Sequence, residues 1–248
     1  MSGPAIDVAA WSSRWRTRSP GDKLLLAGGG VVVALVLPPW PAGVLVTAGS
    51  VALAVGPAGV DPRVLARAAR AACAFIALGA VSLAVTWQPG RGFVVTGDGV
   101  AAAAGTTVHA VAGTSAMLLL ATTTPVSDLL HWMRSRGVPE VVVDVAGLVY
   151  RLLFVLLRTA EAVRAAQAAR LGYSSPAATM RSAAGLAAAV LTRAWSRARS
   201  LEEGLAGRGF DGPLRVVAAD RPSSPRFVAA SLSGLALVVA LSAVVVLR

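Results

Sequence analysis

Charge is what this chain most lacks. Only 14% of its 248 residues are Asp, Glu, Lys or Arg, against 56% hydrophobic, where soluble domains carry about a quarter charged residues. Long runs hold no charge at all, which excludes an ordinary soluble domain and points to an integral membrane protein. Cysteine is scarcer still. Cys73 stands alone, so an intrachain disulfide and a cysteine metal cluster are both excluded; its apolar surroundings suggest a small core filler. Lys23 is the only lysine, followed by Leu24 and Leu25. A P-loop ends in Lys-Ser or Lys-Thr, so the chain does not hold ATP that way. The two histidines, His109 and His131, are too far apart to read as a metal pair. His109 lies in a membrane run, as a packed polar residue or an ion ligand, and His131 beside Trp132 reads as an interface residue. Gly113-Thr114-Ser115-Ala116 lacks the second glycine and the strand of a serine elbow. No catalytic constellation emerges.

Acidic residues number 12 against 23 basic, a formal net charge of +11. Such an excess suits nucleic acid or an anionic membrane face, and the placement of the charges favours the membrane. Apart from Arg91 and Arg248, every basic residue falls within Arg14 to Lys23, Arg63 to Arg70, or Arg134 to Arg226. That bias is the mark of cytoplasmic loops in a bilayer protein. Met1 to Asp22 is polar and does not read as a cleavable signal peptide.

The hydrophobic runs then set the architecture. AIDVAAWSSRWRTRSPGDK, with Trp11 and Trp15 one turn apart beside arginines, predicts an interfacial helix. Leu24 to Leu37 and Ala42 to Gly56, separated by PPWP, are each shorter than the roughly 20 residues of a straight span. They read as a helical hairpin or a re-entrant pair. Val64 to Trp87 predicts a third span with Arg67 and Arg70 at its base, and the turn-rich QPGRGFVVTGDG follows. Ala101 to Thr123, a fourth span, is dense in small residues that let membrane helices approach closely. Phe227 to Leu247 is a fifth. Val141 to Leu157 is apolar too, but Asp144 and Arg151 share one of its faces. Intramembrane charge is costly, so this run is expected as a helix buried in protein at the membrane boundary. The domain organisation expected is therefore 1–124 for an amphipathic helix and four spans, 125–226 for a cytoplasmic region, and 227–248 for the last span. The fold class is all-α and polytopic, with about five spans and a pair of long cytoplasmic helices.

Those two helices carry the candidate site. The first ends at Ala169-Arg170-Leu171-Gly172. The second begins at Ser174 or Ser175 with Pro176 at N1 and runs roughly 45 to 50 Å to Gly207-Arg208-Gly209, where FDGP stops it. Leu186, Val190, Ala194, Ala198, Leu201 and Leu205 form an apolar stripe at helical spacing. Arg208 shares its face, with Arg193 and Arg197 near the edge. An arginine at a helix tip on the docking face can enter a pocket and grip carboxylates or carbonyls as a fork. The plainer reading is that last-turn arginines complement the helix dipole and glycine supplies the C′ position.

The order of features resembles the CbiQ/EcfT family, the transmembrane T components of energy-coupling factor (ECF-type ABC) transporters. The resemblance covers nearly the whole chain. It rests on SPGDKLLL after a Trp/Arg-rich start, LLLATTTPVSDLLHWMRSRGVPE, LVYRLLFVLLRTAEAVRAAQAARLGY, and GLAGRGFDG. It implies a non-catalytic subunit of a multi-pass cell-membrane complex, with the N-terminus and the two coupling helices cytoplasmic. The implied partners are two cytoplasmic ABC ATPase subunits, a substrate-binding S component and the lipid bilayer, and not nucleic acid. No cofactor is implied for this chain, since ATP is bound by the ATPases. The X-Arg-X motifs that insert into grooves of the ATPase pair align with Ala169-Arg170-Leu171 and Gly207-Arg208-Gly209. The second departs from the commoner Ala-Arg-Gly in having Gly207 first. The fourth span of CbiQ-like proteins often carries an arginine where this chain has His109. The implied cargo is a micronutrient: cobalt, nickel, biotin or another vitamin. Closure of the ATPases on ATP would change the angle between the coupling helices and tip the S component.

Two rival classes are weaker. A self-contained secondary transporter would need more intramembrane ionisable groups than Asp144, Arg151 and His109, and often paired repeats. A binder of nucleic acid or lipid headgroups through the arginine helices is weakened by Glu161, Glu202 and Glu203 among them.

Overall fold

The computed structural model describes residues 5–88, 92–209 and 221–246. The fold is an all-α polytopic membrane protein with one small β-hairpin among the described residues. The order is α1 Ala5–Ser12, α2 Pro20–Val36, α3 Val44–Val55, α4 Pro62–Ala84, strands β1 Val85–Gln88 and β2 Gly92–Val95, then α5 Gly97–Thr123, α6 Val126–Ser135, α7 Glu140–Ala169, α8 Pro176–Ala206 and α9 Pro225–Val246. Two compact units form: Met1–Trp132 with Ala219–Arg248, and Met133–Ala218.

In the first unit α5 is the centre, packed against α1, α2, α3 and α4. Its buried residues Ala112, Ala116, Leu119, Leu120 and Thr123 recur at helical spacing, Ala103 is buried on the opposite face, and most are small, so neighbouring backbones come close. The fit is tight. A Cβ on Gly43 would stand 2.5 Å from Val108 Cγ1, and one on Gly29 2.5 Å from Leu235 Cδ1. Ala34, Val46, Ala112 and Ala116 make one core cluster. Ala9, Trp15, Ala54, Ala58, Val60 and Leu119 make a second, where Trp15 meets Phe227 edge-on with centroids 5.1 Å apart.

Several expectations change here. The N-terminal interfacial helix is broken at Ser13, whose hydroxyl accepts from Trp15 N at 3.2 Å and donates to Ala58 O at 3.0 Å. Trp15 is consequently core, only 6% exposed, rather than an interface anchor. Cys73 is exposed on α4, not core filler. The third apolar run stops as helix at Ala84 and continues as strand, with Val85 opposite Val95 and Gln88 opposite Gly92. Val85, Thr86 and Trp87 favour strand, and Pro89 pushes its predecessor into extended backbone. Among the described residues, three helices are long and apolar enough to cross a membrane: Pro62–Ala84, Gly97–Thr123 and Pro225–Val245. The first two runs are shorter, 17 residues in α2 and 12 in α3. Helix α2 starts at Pro20, with proline at its first position, and so draws Asp22 and Lys23 into its first turn.

Those two charged residues explain why SPGDK and TTTP belong together. Lys23 Nζ donates to Thr123 O at 2.8 Å across a hundred residues of sequence. Helix α5 ends at Thr123 ahead of Pro125, which has no N–H, so its last carbonyls need donors from elsewhere. Thr122 and Thr123 are fully buried and turn their hydroxyls back to Leu118 O and Leu119 O at 2.7 and 2.6 Å. Lys23 precedes the apolar run; burial brings its ammonium down to about 8, aided by Arg221 and Arg18 against the pull of Asp128. Asp22 Oδ2 accepts from Ser224 N at 2.8 Å. Arg221 donates to Asp128 Oδ2 at 2.5 Å and also to Arg16 O. This polar node fastens the starts of α2, α6 and α9 to the end of α5.

His109 receives a similar explanation. Its Nδ1 bonds Ala34 O, and the residue four further on is Pro38, which has no N–H for that carbonyl. Its ring therefore fills a gap in the ladder of α2. Arg221→Ala, which leaves Asp128 half-buried without this partner, is expected to cost about 2 to 3 kcal/mol. Chemical unfolding in detergent checks this, and Arg221→Ala/Asp128→Ala should recover part of the loss.

Candidate functional site in the α7–α8 hairpin

The second unit is built on two antiparallel helices of 30 and 31 residues. Both are rich in Ala, Leu and Arg, strong helix formers. The Ser175 hydroxyl accepts from Ala178 N at 3.2 Å with Pro176 at N1, the cap expected from sequence. Leu152, Leu156, Val163 and Gln167 of α7 are half-buried against the other helix, as are Leu186, Val190 and Ala194 of α8. Leu201 and Leu205 continue this stripe half-buried, while Ala198 is exposed. Within Val141 to Leu157 only Val143 is buried; Val141, Val142, Val145, Val149 and Leu153 are exposed. The expectation of a helix buried in protein is thus corrected. A hairpin helix has one neighbour, which covers one stripe. Asp144 pairs with Arg134 rather than with Arg151, its neighbour in periodicity, and Arg151 stays exposed.

Both X-Arg-X motifs sit at helix tips. Helix α7 ends at Ala169. Leu171 N then donates to Ala168 O at 3.0 Å and Gly172 N to Gln167 O at 2.8 Å, the paired bonds of a Schellman cap. The C′ position, normally glycine, is Leu171 with φ +57, a conformation that costs a side chain roughly 1–2 kcal/mol. Helix α8 ends at Ala206, where Arg208 N donates to Leu205 O and Gly209, at φ +63, to Ala206 O. In both motifs an exposed arginine at a C-terminal tip precedes a left-handed residue. Neither the Arg170 nor the Arg208 guanidinium has a partner among the described residues. The FDGP stop lies outside them.

What holds the first tip was not singled out in the sequence. Gln167 O accepts from Arg170 N at 3.1 Å and from Gly172 N; Gln167 Nε2 donates to Ser182 O at 3.0 Å, and Gln167 Oε1 accepts from Tyr173 OH at 2.8 Å. The Ser182 hydroxyl donates to Gly172 O at 2.8 Å, and the Arg164 guanidinium lies 5.9 Å from the Tyr173 ring centre. A Cβ on Gly172 would lie 2.6 Å from Ser182 Oγ and 2.8 Å from Gln167 O, so glycine is needed for the turn to close. The only signal for this latch was Gln167 and Tyr173 standing in one quoted motif, AQAARLGY.

An all-α membrane protein with a basic, arginine-tipped hairpin is thus defined. Comparison with known proteins gives the family. The model of the CbiQ family, cobalt transport proteins, matches residues 12–217. The chain is 38% identical over 225 residues to the cobalt transport protein CbiQ of Rhodobacter capsulatus, covering 91% of this chain and 92% of that one. It is 27% identical over 225 residues to CbiQ of Salmonella typhimurium, covering 85% and 99%. A third relative, from Methanocorpusculum labreanum, bears a name describing a fused cobalt transport protein, CbiMQ. It is 26% identical over 218 residues, which cover 84% of this chain and 36% of that one. The chain belongs to the CbiQ family.

Leu171→Gly is expected to stabilise the unit by about 1 kcal/mol, and Gly209→Ala to destabilise it by a similar amount. Opposite shifts in the unfolding midpoint check the shared geometry. Gln167→Leu, which removes two side-chain bonds, should cost about 1 to 3 kcal/mol and speed amide exchange selectively from Arg170 to Ser174.

Proposed function

We propose that the chain is the transmembrane coupling subunit of an ECF-type ABC importer, itself non-catalytic, serving uptake of a micronutrient with cobalt ion first among the cargoes. The observation that carries this reading is the pair of arginine tips. Arg170 and Arg208 are exposed, on opposite ends of an antiparallel hairpin, and each is followed by a left-handed residue that turns the chain away from it. Each can enter a groove and bond carboxylates or carbonyls as a fork. The lever between them is stiff, two helices each of roughly 45 Å, and the Gln167 latch holds one tip in register.

Two cytoplasmic ATPases take one tip each, and a membrane S component carries the cargo. Closure of the ATPases on ATP moves their grooves together and changes the angle between α7 and α8. The exposed stripe Val141, Val145, Val149 and Leu153, one turn between members, gives the S component an apolar face to follow. The CbiMQ relative, which extends well beyond the part matching this chain, supports a subunit that works beside another transport component. The hairpin and N-terminus lie on the cytoplasmic side in this reading, in keeping with the clustered arginines.

The test is co-purification of the tagged chain with the ATPases from detergent. Two ATPases per chain are expected for wild type, with loss of the complex for Arg170→Glu/Arg208→Glu. A chain that remains alone and transports in proteoliposomes without ATP would make it a secondary transporter instead.

A further inference from the structure

Midway along the hairpin, Leu152, Val155, Leu156 and Thr159 of α7 and Ala194 of α8 line a cavity of about 180 Å³ beside Arg193 and Arg197, and the Thr159 hydroxyl is turned back to Val155 O at 3.1 Å. It is smaller than the roughly 300–1,000 Å³ of a small-molecule pocket. Arg193 and Arg197 stand one turn apart on one face. Both are exposed, and neither has an acidic partner among the described residues, whereas Arg199 is paired with Glu203 at 3.3 Å. On α7, Arg151 and Arg158 are exposed too, without an acidic partner among the described residues. At 100° per residue they occupy the strip next to Val155, and Glu161 lies half a turn around the helix from Leu152. The glutamates that dilute the positive charge along the hairpin therefore stand away from this opening, and four cations remain around an apolar floor.

The lining selects among anions. A peptide laid in the cavity would need partners for its backbone N–H and C=O groups, and the walls are almost wholly hydrocarbon. Single-stranded nucleic acid would need aromatic side chains on which to stack its bases, and none lines this opening. An acyl chain needs no polar partner, and a phosphate beside two guanidiniums is held by charge-assisted bonds. We propose that this groove binds an anionic phospholipid, with the phosphate on Arg193 and Arg197 and the first part of an acyl chain in the cavity. The site requires that the hairpin reach the bilayer surface, and it stands whether or not the tips dock ATPases.

The test is native mass spectrometry of the full chain in detergent with equal amounts of phosphatidylglycerol and phosphatidylcholine. One retained phosphatidylglycerol per chain is expected, lowered roughly thirtyfold in Arg193→Gln/Arg197→Gln. Ala194→Phe, which fills the cavity and leaves both arginines, should lower it as well. Arg181→Gln/Arg199→Gln, which removes the same charge elsewhere on α8, should leave it unchanged. Equal retention of the two lipids by wild type, or no loss in Arg193→Gln/Arg197→Gln, overturns the proposal. An equal loss in the two double variants would reduce the binding to general charge attraction and overturn the site. Displacement by inorganic phosphate alone at lipid-like concentration would overturn the lipid assignment.

Discussion

Helix ends govern this molecule. Each helix leaves its last carbonyls without N–H partners, and in a chain embedded in lipid there is little water to supply them. The donors come from far away in sequence. Lys23 serves Thr123 O and His109 serves Ala34 O, and two carbonyls of the connecting segments are met in the same way, Ala58 O by Ser13 and Arg16 O by Arg221. Each bond is local chemistry with a long-range consequence, since it fixes which helices meet and at what height. The polar residues inside this largely apolar unit are the fastening, and the small residues of α5 permit the close approach that brings them within reach.

The hairpin answers the same requirement in another way. Helix α7 satisfies its own final carbonyls by turning back through Leu171 and Gly172, and Gln167 ties that turn to α8 through Ser182. The cap accepts a strained leucine where glycine would be easier. The strained residue directly follows the exposed Arg170. Helix α8 reaches the equivalent shape with Gly209 and without strain. The two tips thus share a left-handed residue after an exposed arginine while differing in that residue, leucine in one and glycine in the other.

The membership of the CbiQ family and the hairpin geometry bear on each other. The family match covers residues 12–217, which take in the whole hairpin and both arginine tips. The exposed apolar stripe of α7 and the cationic groove beside Arg193 belong to the same element, on which little apolar surface is buried within the chain. The clustered core residues of the chain lie in the other unit.

The sequence by itself determined the class of the protein, the long apolar helices α4, α5 and α9, the start of α8 to within Ser174 or Ser175, and both arginine tips. These follow from composition, from periodicity and from turn residues, all of which act within a few positions. Tertiary structure alone decided that Trp15 is core, that Cys73 and most of Val141 to Leu157 are exposed, and that Asp144 pairs with Arg134 rather than Arg151. It also decided the uses of Lys23, His109 and Gln167. Burial and hydrogen bonding depend on which neighbour arrives, and helical periodicity names a face without naming what covers it. Pro38 was legible in the PPWP that parts the first two runs; that a histidine and a lysine would complete the carbonyls left beside Pro38 and Pro125 depends on packing between segments some seventy-five and one hundred residues apart.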